Sequence, residues 1–562
     1  MPESYFAGAR PEDVGIVPLL ESRAEADPAA TFFSFGDRCY RIGEFNADVN
    51  RFARNLRRLG IRRGTHVGVL MDTSPDYLTL MFALAKIGAI ELPINTAYHG
   101  DLLQHQLRTG QVTVCVLDDA YMPAVSAVLS EVTELKQLIV RGQAESSASA
   151  RVSSFDELTA AADTANLGNV VTHDSVAGII FTSGTTGPSK GVLLTHHYLA
   201  AYGYMYADIN GLRADDVLLN FLPFFHIGAK FMTIATLVCA GTMRLQPRLS
   251  VSTFREEVRK HGITNFVGVG GICNMLLARP PQADDADTTI RTIYAVPDPD
   301  EIHSELEHRF GCKITTVYGS TEVGLPIFRS ATDEYRPGSC GRRSPYYDVI
   351  VVDENDNALP PGAVGEIAVR PRRPFLLGSG YIGMEARTIE AWRNLWLHSG
   401  DRGRVDSDGW FYFEDRLTDS IRRRGENISS FEVERMVVAH PAVSEAVAIA
   451  VPSPVGEDDV RVLVIVREGA VLHPPDLLRY CAEVMPYFMV PRYIDIVTDF
   501  PRTPTAKVEK YRLRAAGINA GTWDRDAHGF TVTRSGLVGP GQAGGDAPAG
   551  TPEAASGRQV RV

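Results

Sequence analysis

The sequence predicts an α/β protein. A large N-terminal domain of two α/β subdomains and a small β subdomain precedes a small α+β C-terminal domain. Three observations carry this expectation. Short apolar runs alternate with helical patterns over 65–140 and again over 217–317, which is the pattern of mostly parallel sheets covered by helices. Helical patterns then give way, over 338–413, to short strand-like runs parted by turns such as Asp353-Glu-Asn-Asp356 and Asp406-Ser-Asp-Gly409. Strand and helix patterns return after residue 416 for about a hundred residues, enough for a separate small domain.

In chain order, 17–26 is apolar at helical spacing, and 31–35 can pair with 38–41 across Gly36-Asp37 as a hairpin. A helix is expected over 43–59, stopped by Gly60. Strands follow at 67–71, 89–94, 113–117 and 137–140, with helices at 75–87, 101–108 and 122–129 between them. Residues 143–154 are small and polar and read as a surface loop. The second block has strands at 217–222, 265–269, 291–296 and 313–317, and helices at 228–239, 252–261 and 301–310. The last unit has helices at 430–440 and 475–483 and strands at 443–451, 460–466 and 493–497. These patterns divide the chain into 1–415, 416–525 and a Gly-, Ala- and Pro-rich tail, 526–562, expected to be disordered.

Composition excludes several classes. A net charge of −12 argues against a general nucleic-acid binder. Seven scattered cysteines without a Cys-x-x-Cys pair fit reduced thiols in a cytoplasmic protein, not a zinc site or disulfide framework. The first ten residues lack the regions of a signal peptide. The most apolar helix, 77–94, contains Lys86 and Glu91 and reads as core, so no membrane span is expected.

The chemistry centres on Phe181-Thr-Ser-Gly-Thr-Thr-Gly-Pro-Ser-Lys-Gly191, which follows a buried strand. Gly184, Gly187 and Gly191 let the backbone approach a ligand, and Thr182, Ser183, Thr185, Thr186 and Ser189 add hydroxyls. With Lys190 they make an anion cradle for a polyphosphate. The spacing is not the Walker pattern, because Gly191 follows the lysine where Ser or Thr would stand. A second constellation, Val317-Tyr-Gly-Ser-Thr-Glu322, ends a predicted strand. Tyr318 offers a face for a purine, Gly319 a turn, Ser320 and Thr321 hydroxyls, and Glu322 a carboxylate for Mg²⁺.

Both stretches resemble the signature segments of the adenylate-forming superfamily of acyl-CoA synthetases, luciferases and peptide-synthetase adenylation domains: a Ser/Thr/Gly loop closed by Pro-x-Lys-Gly, and Tyr-Gly-x-Thr-Glu. Further segments match. Ser399-Gly-Asp401 resembles Thr-Gly-Asp, with Asp401 implied as a ribose ligand. Asp415-Arg-Leu-Thr-Asp-Ser-Ile421 resembles the family's hinge, with Arg416 as a second ribose contact and Thr418 at the pivot, where Asp or Lys is usual. Arg424-Gly-Glu-Asn-Ile-Ser429 resembles the loop that enters the site for the thiol step, with Gly425 lining a pantetheine channel. Pro501-Arg-Thr-Pro-Thr-Ala-Lys507 resembles the segment of the catalytic lysine, so Lys507 is the implied catalytic residue on a mobile domain, with Ala506 in place of Gly. Leu222-Pro-Phe-Phe-His226 resembles the aromatic-His segment beside the acyl pocket. Lys230, one turn beyond His226, is expected to face that pocket and to favour a second anionic or hydrogen-bonding group on the substrate. Tyr294 and Ala295 stand where relatives carry smaller residues and imply a reshaped pocket. Within the superfamily, Gly425 to Ser430, Tyr487 to Tyr493 and Pro501 to Thr505 look most like crotonobetaine/carnitine–CoA ligases.

The resemblance implies an AMP-forming ligase. A carboxylic acid would attack ATP, with Mg²⁺ bound, to give acyl-AMP and pyrophosphate, and coenzyme A would then take the acyl group. Catalysis would rest on Lys507, Glu322, Thr182 and His226. The rival readings are another acceptor (a carrier protein or amine), nitrite activation for N–N bond formation, and a non-catalytic nucleotide binder. The oligomeric state stays open, a homodimer being one option.

Overall fold

The computed structural model describes all residues except 1–5, 7–13, 144–146, 148, 169–170, 183–188, 270–271, 299, 301, 417–419, 455, 502–507, 535 and 541–562. The first α/β unit is a seven-stranded sheet. Its order is Arg151–Ser154, Gln137–Arg141, Val114–Asp118, His66–Leu70, Ile90–Pro93, Val176–Thr182, Lys190–Thr195. All neighbours are parallel except the last pair, in which Lys190–Thr195 returns antiparallel to Val176–Thr182. The helix Pro75–Ile87 shows how local chemistry sets the boundaries: Ser74 caps it by accepting from the Tyr77 amide, Pro75 opens it, and Gly88 closes it at φ 72°.

The second α/β unit and the β unit prove to be one continuous thirteen-stranded sheet. The strand Lys313–Ser320 joins them. Its first residues pair in parallel with Thr292–Val296, and its last pair antiparallel with Gly324–Arg329. The N-terminal hairpin Thr31–Phe35/Arg38–Arg41 forms as expected, but it adds to the far edge of this sheet, parallel to Thr242–Leu245. That pairing spans some two hundred residues of sequence and has no local signal. The helices His196–Asn210 and Ile227–Cys239 cross so closely that a Cβ on Gly203 would stand 2.5 Å from Ile234 Cγ2.

Other departures have plain causes. Arg151–Ser154 lies in the stretch expected to be loop, yet it pairs as an edge strand with Gln137–Arg141. The helix Glu385–Ala391 interrupts the region expected to lack helices; it has no buried residue, so no apolar face announced it. The helix His196–Asn210 escaped the sequence reading because it is buried almost all round and shows no amphipathic period.

The small domain carries a four-stranded sheet, Val443–Pro452, Asp458–Val466, Tyr493–Ile496 and Trp523–Asp524, with the helices Ser430–Val438 and Pro474–Val484. The expectation of disorder from 526 onward is corrected in part. Thr531–Thr533 pairs with Gly536–Val538 as a hairpin, and Phe530 and Val532 are buried in the small domain's core. These two residues, with the partly buried Leu537, anchor a stretch that is otherwise poor in apolar side chains. Residues 541–562 lie outside the described residues.

Candidate active site

A cleft of about 480 Å³ opens where the two large sheets meet, bounded by the carboxyl ends of Val176–Thr182, Asn265–Val269, Thr292–Val296 and Lys313–Ser320. Strand ends of this kind are where open α/β sheets bind ligands. Glu322 occupies its middle. Thr182 Oγ1 donates to Glu322 Oε1 at 2.9 Å, Ser320 Oγ donates to Oε2 at 2.9 Å, and the Tyr381 hydroxyl donates to Oε1 at 3.4 Å. Three hydroxyls thus hold one carboxylate in place.

Lys190 stands beside it. The antiparallel register makes Thr182 and Lys190 direct cross-strand partners, so the Gly/Ser/Thr loop begins and ends at one point of the cleft. Ser183, Gly184, Thr185, Thr186 and Gly187 lie outside the described residues. The Lys190 ammonium lies 4.9 Å from the centroid of the Tyr381 ring. Burial lowers its pKa from the ordinary lysine value, against the opposing pull of Glu322. The loop's base is held from both sides. His105 Nε2 lies 2.8 Å from the Ser189 carbonyl oxygen, and the Ser189 amide donates to Glu432 Oε1, on the small domain, at 3.1 Å.

At one end of the cleft the Tyr318 hydroxyl donates to Asp401 Oδ2 at 2.8 Å, and Ser399 Oγ accepts from the Asp401 amide at 3.1 Å. Gly319 is required between them and Glu322, because a Cβ there would sit 2.1 Å from the Gly324 carbonyl oxygen. The Tyr198 hydroxyl donates to the Thr321 carbonyl at 2.8 Å and pins the same segment. Arg416 ends the strand Trp410–Arg416 and pairs with Asp401 across the ladder; its side chain is outside the description, as are Thr418 and Lys507.

The opposite end is apolar. Tyr202, Leu222, Phe231, Val267, Tyr294 and Val296 line it, with the Tyr202 and Phe231 rings stacked at 5.1 Å. Strand alternation places Tyr294 and Val296 on the cleft face and corrects the expectation for Ala295. That residue is fully buried, and its carbonyl accepts from Thr316 Oγ1 at 2.7 Å. Lys230 is corrected as well. It is 3% exposed and does not reach the cleft; its ammonium donates to Glu91 Oε2 at 2.7 Å. His226 precedes the helix Ile227–Cys239 in extended conformation, whereas Lys230 is on the helical side turned into the core.

The small domain closes the cleft with the hairpin Ser420–Arg423/Glu426–Ser429. Arg424 and Gly425 make its two-residue turn at φ 54° and 80°, the left-handed pair that a tight hairpin demands. Gly425 and Glu426 face the cleft, and Glu426 Oε2 lies 3.2 Å from His226 Nε2, a close approach without hydrogen-bond geometry. The sequence reading missed Tyr381, Glu426, Glu432, Tyr202 and Phe231. Tyr381 had a local signal, as an aromatic residue set among Gly378, Gly380 and Gly383, and Glu426 lies inside the segment Arg424-Gly-Glu-Asn-Ile-Ser429.

The AMP-binding enzyme family matches residues 20–381, and the AMP-binding enzyme C-terminal domain matches residues 432–507. A crotonobetaine/carnitine–CoA ligase of Salmonella typhimurium is 31% identical over 483 residues, 85% of this chain and 93% of that protein. One of Escherichia coli O8 is 32% identical over 483 residues, 84% and 93% respectively. Among solved structures, a double mutant of o-succinylbenzoate CoA synthetase from Bacillus subtilis superposes with a TM-score of 0.78 at 22% identity, over 88% of this chain and 98% of that one. An amide bond synthetase from Marinactinospora thermotolerans gives 0.77 at 22%, over 90% and 100%. Both likenesses concern the fold. The chain belongs to the AMP-binding enzyme family, the adenylate-forming ligases, and is similar over most of its length to crotonobetaine/carnitine–CoA ligases.

Proposed function

We propose that this protein activates a carboxylic acid with ATP, releasing pyrophosphate, and transfers the acyl group from acyl-AMP to coenzyme A. The observation that carries the reading is the convergence in one cleft of Thr182, Lys190, Glu322 and Asp401 with the small domain's Gly425 and Glu426. Lys190 and the hydroxyl-rich loop would receive the phosphates, and Asp401 the ribose. The acid and the α-phosphate are both anionic, so their approach needs fixed positive charge and donors. Lys507 is the candidate for that contact.

Glu322 suits Mg²⁺ as a single anchoring carboxylate. Among the described residues no cluster of three His, Cys, Asp or Glu side chains exists, and Mg²⁺ commonly takes one or two carboxylates and completes its shell with phosphate oxygens and water. Bound there, the ion would neutralise phosphate charge.

The apolar end of the cleft supports an acid whose acyl body is uncharged. Tyr202, Phe231 and Tyr294 present rings there, and Lys230, which the sequence analysis placed at this pocket, is instead paired with Glu91. The small domain is placed with its Gly425 turn at the cleft, and among the described residues neither Pro501 nor Val508, which flank the Lys507 segment, lines it. This arrangement suits thiol transfer. Adenylation would bring Lys507 in by rotation about residues 416–419.

The test is pyrophosphate and AMP release with a panel of monocarboxylic and dicarboxylic acids, with and without coenzyme A. Acid-dependent pyrophosphate with coenzyme A-dependent AMP release is expected. Acid-dependent pyrophosphate without a coenzyme A effect would move the second step to another acceptor, and no pyrophosphate with any acid would overturn the reading.

A further inference from the structure

A second cavity, of about 410 Å³, lies between the large and small domains. It shares Asn95, Tyr98, Phe225 and Glu426 with the cleft, so the His226–Glu426 approach stands at the partition between the two spaces. On the far side its wall is built by Tyr487 and by Val532, Thr533, Arg534 and Gly536 of the C-terminal hairpin. That hairpin lies beyond residue 507, where the match to the family's C-terminal domain ends.

The charges around this cavity are uneven. Its acidic residues are engaged: the Asp72 carboxylate accepts from the Tyr121 hydroxyl at 2.9 Å, and Glu426 faces His226 and accepts from Asn95 Nδ2 at 3.4 Å. His99 also lines it, and Arg534 is the one Arg or Lys among the lining residues. Arg534 is exposed, at the solvent side, and it is aimed by Tyr487: Nη2 donates to the Tyr487 hydroxyl at 3.1 Å and the guanidinium lies 5.2 Å from that ring's centroid. The basic run Arg422-Arg-Arg424, the other place to look for a phosphate contact, is largely committed elsewhere. Arg422 lines the first cleft, not this cavity, and pairs with Glu457 at 3.2 Å. Arg423 is 3% exposed, pairs with Asp459 and donates to the Phe488 and Val490 carbonyls. Arg424 lines neither cavity.

We propose that the hairpin Thr531–Thr533/Gly536–Val538 completes the channel for the thiol co-substrate and that Arg534 is the contact for its phosphate-bearing end. The neutral pantetheine arm would thread the cavity toward Glu426 and His226, while the anionic end stays at the mouth, where a guanidinium can bind phosphate oxygens bidentately. This rests on coenzyme A being the acceptor.

The test uses the full-length enzyme and three readouts: acid-dependent ATP–pyrophosphate exchange, and AMP release driven by coenzyme A or by pantetheine, which has the same thiol without the phosphates. For Arg534→Ala we expect the KM for coenzyme A to rise about tenfold, the equivalent of one charge-assisted contact, with the KM for pantetheine unchanged. Arg534→Lys should recover part of the loss. An unchanged KM for coenzyme A in Arg534→Ala would overturn the proposal. So would an equal rise for both thiols that Arg534→Lys does not relieve, which would mean that the hairpin had lost its packing. Pyrophosphate exchange without any coenzyme A effect in the unaltered enzyme would overturn the acceptor reading on which the proposal rests, and leave the adenylation reading standing.

Discussion

Lys230 and Lys190 each sit near a glutamate, and the contrast between them separates ligand chemistry from structure. Lys230 is sealed in the core. It pairs with Glu91 at 2.7 Å, Glu91 also accepts from the Tyr77 hydroxyl at 2.9 Å, and the Tyr77 ring stacks on Phe224 at 4.8 Å. Lys190 stands in the cleft near Glu322, makes no ion pair among the described residues, and rests over the Tyr381 ring. Burial lowers both ammonium pKa values. Lys230 is paired with a carboxylate that is itself sealed in the core. Lys190 keeps an unneutralised charge beside a carboxylate held by hydroxyls, which is the arrangement a phosphate and its counter-ion would complete.

The largest effect expected from this contrast is on stability. Lys230→Met strands the Glu91 carboxylate in the core, and removing one partner of a buried pair costs about 3–5 kcal/mol. Urea unfolding should show that loss, while the enzyme that remains folded keeps its order of preference among acids. A stable variant with an altered acid profile would return Lys230 to the pocket.

Glu322→Gln should behave in the opposite way. Acid-dependent pyrophosphate release should fall about 10²–10³-fold, the scale of losing one charge-stabilising group at a reacting centre, with unfolding changed by only about 1 kcal/mol. If this variant unfolded as readily as Lys230→Met, Glu322 would be a structural residue and the contrast would collapse.

Lys190→Ala should raise the KM for ATP about tenfold, as expected for one charge-assisted contact. Its pH dependence sharpens the point. The protonated ammonium is the form that binds phosphate, and burial lowers its pKa, so kcat/KM for ATP should decline with rising pH earlier than an ordinary lysine allows. Lys190→Arg, which stays charged, should remove that alkaline limb. An identical pH profile in the arginine variant would assign the limb to another group.

Much of the site was legible because its chemistry is local. Thr182 and Lys190 flank a loop whose glycines and hydroxyls are contiguous, and Tyr318 to Glu322 is one contiguous segment running out of the end of a strand. Side chains that reach the cleft from remote elements gave no such signal. Tyr202 sits mid-helix in an apolar run, and Glu432 reaches Ser189 from the opposite domain. Lys230 was misread because one-turn spacing was taken to put it on the same face as His226, whereas His226 precedes the helix in extended conformation with ψ 142°. Ala295 was misread because a motif was carried over as a block, although a strand sends adjacent side chains to opposite faces.

The α/β class and the residue types at the positions proposed to meet phosphate and ribose were readable from the chain alone. Periodicity, turn chemistry and contiguous motifs act over a few residues, and all of them are written in the chain. Only the tertiary structure decided which groups share a space. It joined the second α/β sheet to the β unit through Lys313–Ser320, and it gave the Lys230 charge to Glu91. It also set Glu426 against His226 and placed Arg534, in a stretch that composition marks as disordered, on the wall between the domains. Those outcomes depend on contacts between segments tens to hundreds of residues apart, where burial and pairing, not local preference, select the partner.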